Sequence, residues 1–287
     1  MPVIFCSRFG FRSLILLLSA ARLFAADPEA SVIVRRSLAA ENENASRARN
    51  YTFLERTEVR DLDAKGLVKS KKSKTYDVTM LSGSSYRRLV ERNDRPLPAE
   101  EEKIEQAKLR QSIEDRRHET EAQRAKRLAE YDKRPGRNRG MLNEIPEAFD
   151  FRLRGEELIE TRPVYVIDAT PRAGYRGRNS QARLILPKLQ ATLWIDKADL
   201  SWVRVHAEAI DTISVGLFLL RLSKGARLEM DQTRVNEEVW LPSRVWMSAS
   251  ARVGLVKRLN VQQEMTFRNF RRFQSDSKVV SGSEVRE

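Results

Sequence analysis

The stretch Leu193-Trp194-Ile195-Asp196-Lys197-Ala198-Asp199-Leu200-Ser201-Trp202-Val203-Arg204-Val205 decides how the chain folds. Residues Thr192–Asp196 read as a strand. Asp196-Lys197-Ala198-Asp199 carries turn chemistry, because short Asp side chains bond their own backbone. The chain returns over Ser201–Asp211, where Val203, Val205, Ala207 and Ala209 alternate with Trp202, Arg204, His206 and Glu208. A period of two predicts antiparallel sheet, apolar on one face and wet on the other.

Working outward, Ala148–Leu153, Leu158–Thr170, Ala182–Leu186, Ala226–Val235, Val239–Ala251 and Val261–Phe270 read as further strands with no helix between them. Such a run predicts an antiparallel meander, a highly curved sheet or half-open barrel. Upstream, residues 29–49 read as a helix that Ser31 can cap, with Val32, Leu38, Ala39 and Ala45 at helical spacing. Strands follow from Tyr51, over Val68–Met80 and over Tyr86–Arg92. Pro96 and Pro98 end them. Residues Glu100–Arg134 contain no Gly or Pro and hold ten acids and ten bases, in pairs such as Glu105–Lys108, Glu114–Arg117, Glu121–Arg124 and Glu130–Arg134. They predict one long solvated helix before the linker Pro135–Gly140. The fold class is mainly β (α+β).

Val245, Met247, Ala249, Ala251 and Val253 continue the apolar face, as do Val261, Met265 and Phe267. An open sheet must cover that face. Either the N-terminal helix fills the concavity, or part of it is left for an apolar ligand. Candidate ligand contacts are Val203, Val205, Met247, Met265 and Phe267, joined by Ile213, Leu217, Phe218 and Leu220. The last four lie in Asp211–Leu222, where eight of twelve residues are apolar or Gly. Thr212 can cap a short helix there. The segment is either a core plug or buried strand, or a flap touching acyl chains or a membrane.

Much chemistry is excluded. Among 287 residues there are two His and one Cys, so multi-His zinc sites, Cys clusters and Cys–His nucleophile pairs find no residues. No phosphate loop, nucleophile elbow or metal-spaced pair occurs. No catalytic residue, metal or cofactor is assigned. His206 reads as a cross-strand hydrogen-bonding residue and His118 as part of the charged helix.

Arg8 and Arg12 precede Leu14–Ala21, and small residues lead to Ala25-Ala26. Only nine residues separate Arg12 from Arg22, short of the roughly 20 that span a bilayer. The pattern predicts a signal peptide over 1–26, cleaved to leave one domain over 27–287. Cys6 precedes the apolar run, so the mature chain is expected to be exported, periplasmic, unlipidated and free of cysteine. The net charge of +13 falls to +10 when Arg8, Arg12 and Arg22 leave. Export argues against a nucleic-acid partner. Anionic membrane surfaces remain, and Lys69, Lys71, Lys72, Lys74, Arg176 and Arg178 are the candidate contacts. Lysines on a hairpin also serve as edge protection.

The pattern from Leu193 to Val205, the sequence Val239-Trp240-Leu241-Pro242, and Arg162–Ile167 preceded by Gly155 together resemble the LolA/LolB-like superfamily of periplasmic lipoprotein-sorting carriers. The resemblance spans 29–92 and 148–273. It implies a half-open barrel with helices over its concave face, holding lipid or lipoprotein acyl chains. Residues 100–134 are an insertion relative to that pattern, and no lid residue transfers. The expected function is non-enzymatic carriage of an apolar ligand between envelope membranes. At about 0.8 kcal/mol per buried methylene, ten methylenes contribute roughly 8 kcal/mol before binding costs. The alternative is an envelope interaction protein with a filled concavity, docking on a membrane protein through the charged helix.

Overall fold

The computed structural model describes residues 28–132, 140–178, 180–215, 220–253 and 257–273. Helix α1 (Pro28–Ala48) leads into β1 (Tyr51–Leu62), β2 (Val68–Leu81), β3 (Ser84–Arg92) and β4 (Arg95–Pro96). Then come α2 (Ala99–Arg117), α3 (Glu121–Asp132), the single turn α4 (Ile145–Ala148), β5 (Phe149–Ile159) and β6 (Arg162–Pro171). After α5 (Ser180–Ile185) the chain runs through β7 (Leu189–Asp196), β8 (Trp202–Ala209), β9 (Ile213–Val215) and β10 (Leu220–Leu222). It ends with β11 (Arg227–Val235), β12 (Val239–Val253) and β13 (Lys257–Arg272).

All pairings are antiparallel, in one open curved sheet ordered β4-β3-β2-β1-β13-β12-β11-β8-β7-β6-β5. The β9–β10 hairpin hangs off the end of β12 through Leu220↔Val253 and Leu222↔Ala251. Because neighbours are antiparallel, the β1–β2 turn, the ends of β6, β8 and β12, the starts of β7, β11 and β13, and the short strands β9 and β10 all gather at one end. Helix α1 packs across β5 and β12. Its Ala30, Ile33, Val34 and Leu38, on one helical face, meet Phe149, Phe151, Ile167, Leu193, Ile195, Trp202 and Val205.

Several expectations need correction. The charged segment is two helices, not one. Thr120 ends α2's run because it forms a reciprocal cap with Gln123: Gln123 N–H donates to Thr120 Oγ1 at 3.3 Å, and Thr120 N–H donates to Gln123 Oε1 at 2.8 Å. Glu105–Lys108 and Glu114–Arg117 pair as expected, at 2.7 and 2.9 Å. Residues 182–186 are helical, since Ala182 and Leu186, four apart, are both buried; five apolar-rich residues fit either period. Leu158–Thr170 is the end of β5 and all but the last residue of β6, split at Glu160 with φ +55°. Residues 213–215 and 220–222 are short strands, in keeping with the buried-strand alternative and not with a helix capped by Thr212.

Candidate functional site

Residues directly opposite on neighbouring strands share a face, so the register maps the sheet row by row. One row reads Ile167, Leu193, Val205, Met230, Val245, Met265, Thr57, Lys74 across β6, β7, β8, β11, β12, β13, β1 and β2. The next parallel row reads Ala169, Ala191, Ala207, Leu228, Met247, Gln263, Val59, Lys72. The first three members of the first row, with Met230 at their edge, pack under α1. The remainder lies beyond the helix. Val245, Met247, Met265 and Val59 are half-buried and Leu228 is 38% exposed, and none joins a buried cluster.

The row between them carries the opposite character: Asp168, Thr192, His206, Glu229, Trp246, Glu264, Glu58, Ser73. On this polar face Arg204 reaches Asp231 at 2.6 Å, and Arg244 bridges Glu264 at 2.7 Å and Glu229 at 3.2 Å. Glu58, its side chain 3% exposed, accepts from Arg56 and Arg60 at 2.5 Å and Lys71 at 3.0 Å. Burial opposes its charge, but these three cations outweigh burial and hold its pKa at about 2. A trough of about 450 Å³ lies over β6, β7, β8 and β11, with His206, Asp168, Thr192, Glu208 and Arg227 in its lining. The His206 ring meets the edge of Trp194 at 4.7 Å.

Helix α1 is fastened by polar contacts that the hydrophobic pattern did not reveal. Trp202 Nε1–H donates to Ser37 Oγ at 2.9 Å, and Trp202 N–H donates to Glu41 Oε1 at 2.9 Å. Asn44 takes both backbone groups of Trp240, accepting its N–H at 2.8 Å and donating to its carbonyl at 2.7 Å. It can do so because β13 pairs with β12 only as far as Arg244↔Thr266 and then stays with β1. Tyr51, Val239 and Leu241 close that gap as a small cluster. The 196–199 turn is pinned by Asp196, which accepts from Ala198 and Asp199 N–H at 2.8 and 3.1 Å and from Arg162 at 2.6 Å. These donors overcome the cost of burial and lower the Asp196 pKa.

Of the expected ligand contacts, Val205, Met247, Met265 and Phe267 fall on the helix-bearing face. Val205 is already packed beneath α1, and Phe267 sits edge-on to Phe53 at 5.5 Å. Val203 does not share that face. A bulge sets Trp194↔Arg204 beside Ile195↔Trp202, so Val203 is the extra residue and turns into a cluster with Val164, Val166, Trp194 and Trp240. Trp202 takes the position beneath the helix. Ile213 is a packing residue, buried with Ala209 and Ala226 against α5. Leu217, Phe218 and the side chain of Leu220 lie outside the described residues.

The basic candidates divide as well. Lys72 and Lys74 stand on the helix-bearing face, whereas Lys71 stands on the polar face with Glu58. Lys69 lines a cavity of about 630 Å³ with Leu62, Ser223, Arg252 and Asn260 at the loop-rich end. Arg176 is exposed and Arg178 pairs with Glu147 at 2.5 Å, at that same end. Seven strand intervals of about 4.8 Å separate β2 from β6 along the sheet, so the two basic groups are not one cluster.

No family model matches the chain, and no curated protein matches it. Among solved structures it is similar to a proposed outer-membrane lipoprotein-sorting domain from Vibrio parahaemolyticus, at 12% identity, TM-score 0.35, over 86% of this chain and 95% of that one. It is also similar to a DUF1329 family protein from Desulfovibrio piger, at 12% identity, TM-score 0.36, over 87% and 95%. A LolA superfamily protein from Nitrosomonas europaea matches at 11% identity, TM-score 0.31, over 86% and 94%. They include the superfamily that Leu193–Val205 resembles.

Proposed function

We propose that this protein is an exported, periplasmic carrier that holds a lipid or lipoprotein acyl chain, without catalysis, against the part of the helix-bearing face that α1 leaves uncovered. One observation carries the reading: two cross-strand rows continue apolar beyond the helix, through Leu228, Met247, Val245 and Met265, without joining a buried cluster. Half-buried methionines suit such a surface because the flexible thioether adapts to an irregular chain. An acyl chain removes that area from water at about 25 cal/mol per Å². No helix among the described residues is long and apolar enough to cross a membrane.

Native mass spectrometry of the chain purified from its own envelope tests this, with lipid extraction of any adduct. A stoichiometric lipid is expected. Met265→Asp, which sets a charge in the middle of the apolar row, should lower lipid uptake at least tenfold while the circular dichroism spectrum is kept. A bare mass together with no uptake of offered lipids overturns the reading. Phe218→Asp applies the same test to the proposed flap.

A second reading rests on α2, which buries no residue and leaves Ile104 54% exposed. In it, the charged helices dock on a partner protein of the envelope.

A further inference from the structure

We propose that the bound lipid carries a negatively charged headgroup, and that Lys72 and Lys74 receive it inside the site. The inference rests on the carrier reading and goes beyond it by naming the ligand class, an anionic phospholipid. The two rows reach lysines on β2: Met247, Gln263 and Val59 lead to Lys72, and Met265 and Thr57 lead to Lys74, beyond which stands Arg92 of β3, paired with Glu101 at 2.9 Å. No carboxylate stands in either row on the helix-bearing face.

The charge state of the neighbours matters most. Lys71, between the two and facing the opposite way, is bound to Glu58 at 3.0 Å. Lys72 and Lys74 are exposed and make no ion pair among the described residues. Of the nearby acids, Glu55 is paired with Arg87 and Glu101 with Arg92, while Asp61, hydrogen-bonded by Ser70 at 2.6 Å, stands one pair further along β1. Two free ammonium groups therefore border a strip that runs from β11 to β1, apolar apart from Gln263 and Thr57 and about 14 Å wide at normal strand spacing. Residues two apart on a strand project about 7 Å apart, which long lysine stems can close around one phosphodiester. An acyl chain laid across the strands puts its anionic end there and nowhere else along the rows.

The geometry also separates headgroup binding from adsorption to a membrane. Short-chain phosphatidylglycerol and phosphatidylcholine of matched acyl length, both held monomeric below their critical micelle concentrations, offer the headgroups with no membrane surface present. Competition by native mass spectrometry at fixed ionic strength reads the ratio of the two affinities. The wild type should favour phosphatidylglycerol. Lys72→Gln/Lys74→Gln should lower that ratio about tenfold, taking threefold to fivefold for each exposed charge contact. Lys103→Gln/Lys126→Gln removes the same charge from the helices and should leave the ratio unchanged.

If both lipids bind equally and the Lys72/Lys74 variant changes nothing, the headgroup assignment is wrong and the carrier reading stands. A fall in the ratio with the helix variant as well shows net charge at work, and also refutes the assignment. If neither lipid binds the wild type, the carrier reading itself fails. Two chains sharing one lipid, seen as a dimer in the same spectra, would place a second copy over the strip and overturn a headgroup site complete in one chain.

Discussion

Replacing Glu58 by Gln probes the polar face that keeps β1, β2 and β13 in the register on which both apolar rows depend. Glu58 lies between Thr57 and Val59 of those rows and points the other way, with Arg56, Arg60 and Lys71 around it. Moving its carboxyl from the ordinary 4.5 to about 2 corresponds to about 3 kcal/mol of stability, at 1.36 kcal/mol per pH unit. Because the folded pKa is depressed, that contribution is complete above pH 4.5 and drains away as the pH falls towards 2. About half should remain at pH 3. Glu58→Gln is therefore expected to be about 2–3 kcal/mol less stable at pH 7, with the gap to wild type narrowing to about half at pH 3. Urea denaturation of both proteins at pH 7, 5 and 3 measures it. A gap of the same size at pH 7 and pH 3, or one under about 0.5 kcal/mol throughout, would refute the assignment of this stability to the ionised carboxylate.

Trp202→Phe removes the Nε1–H donated to buried Ser37 Oγ and should cost about 1–2 kcal/mol in thermal or chemical unfolding. Asn44→Ala leaves the N–H and carbonyl of Trp240 without their partner beside the β12–β13 gap; about 2–4 kcal/mol is expected, with faster hydrogen exchange at Trp240 as the local readout. Deleting residues 100–134 should leave lipid uptake within about twofold if the carrier reading holds, because the main packing of α2 is on β3, outside the uncovered strip. Loss of uptake from a folded deletion protein would place the helices in the site.

How much was legible follows from which interactions have a period. The alternation of Val205, Ala207 and Ala209 with Arg204, His206 and Glu208 is a local consequence of the pleat, so the sheet and its two faces could be read from one stretch of residues. The bulge at Val203 could not, since it depends on how β8 pairs with β7, and a one-residue insertion puts Trp202 beneath the helix and Val203 on the other face, the reverse of what the alternation predicts, without changing the pattern of residue types. The split at Thr120 did leave a signal, the Thr-x-x-Gln spacing of Thr120 and Gln123, masked by charged residues that continue unbroken on both sides. The polar fastening of α1 had none, because Ser37, Glu41 and Asn44 bond to residues 161 to 196 positions away. The lysines are the telling case. A run such as Lys69, Lys71, Lys72 and Lys74 looks like one basic patch in sequence, yet the pleat sends Lys71 to Glu58 and sends Lys72 and Lys74 to the apolar rows. The same composition thus serves two purposes on two faces: one lysine neutralises a buried acid, and two stand unpaired where an apolar strip ends.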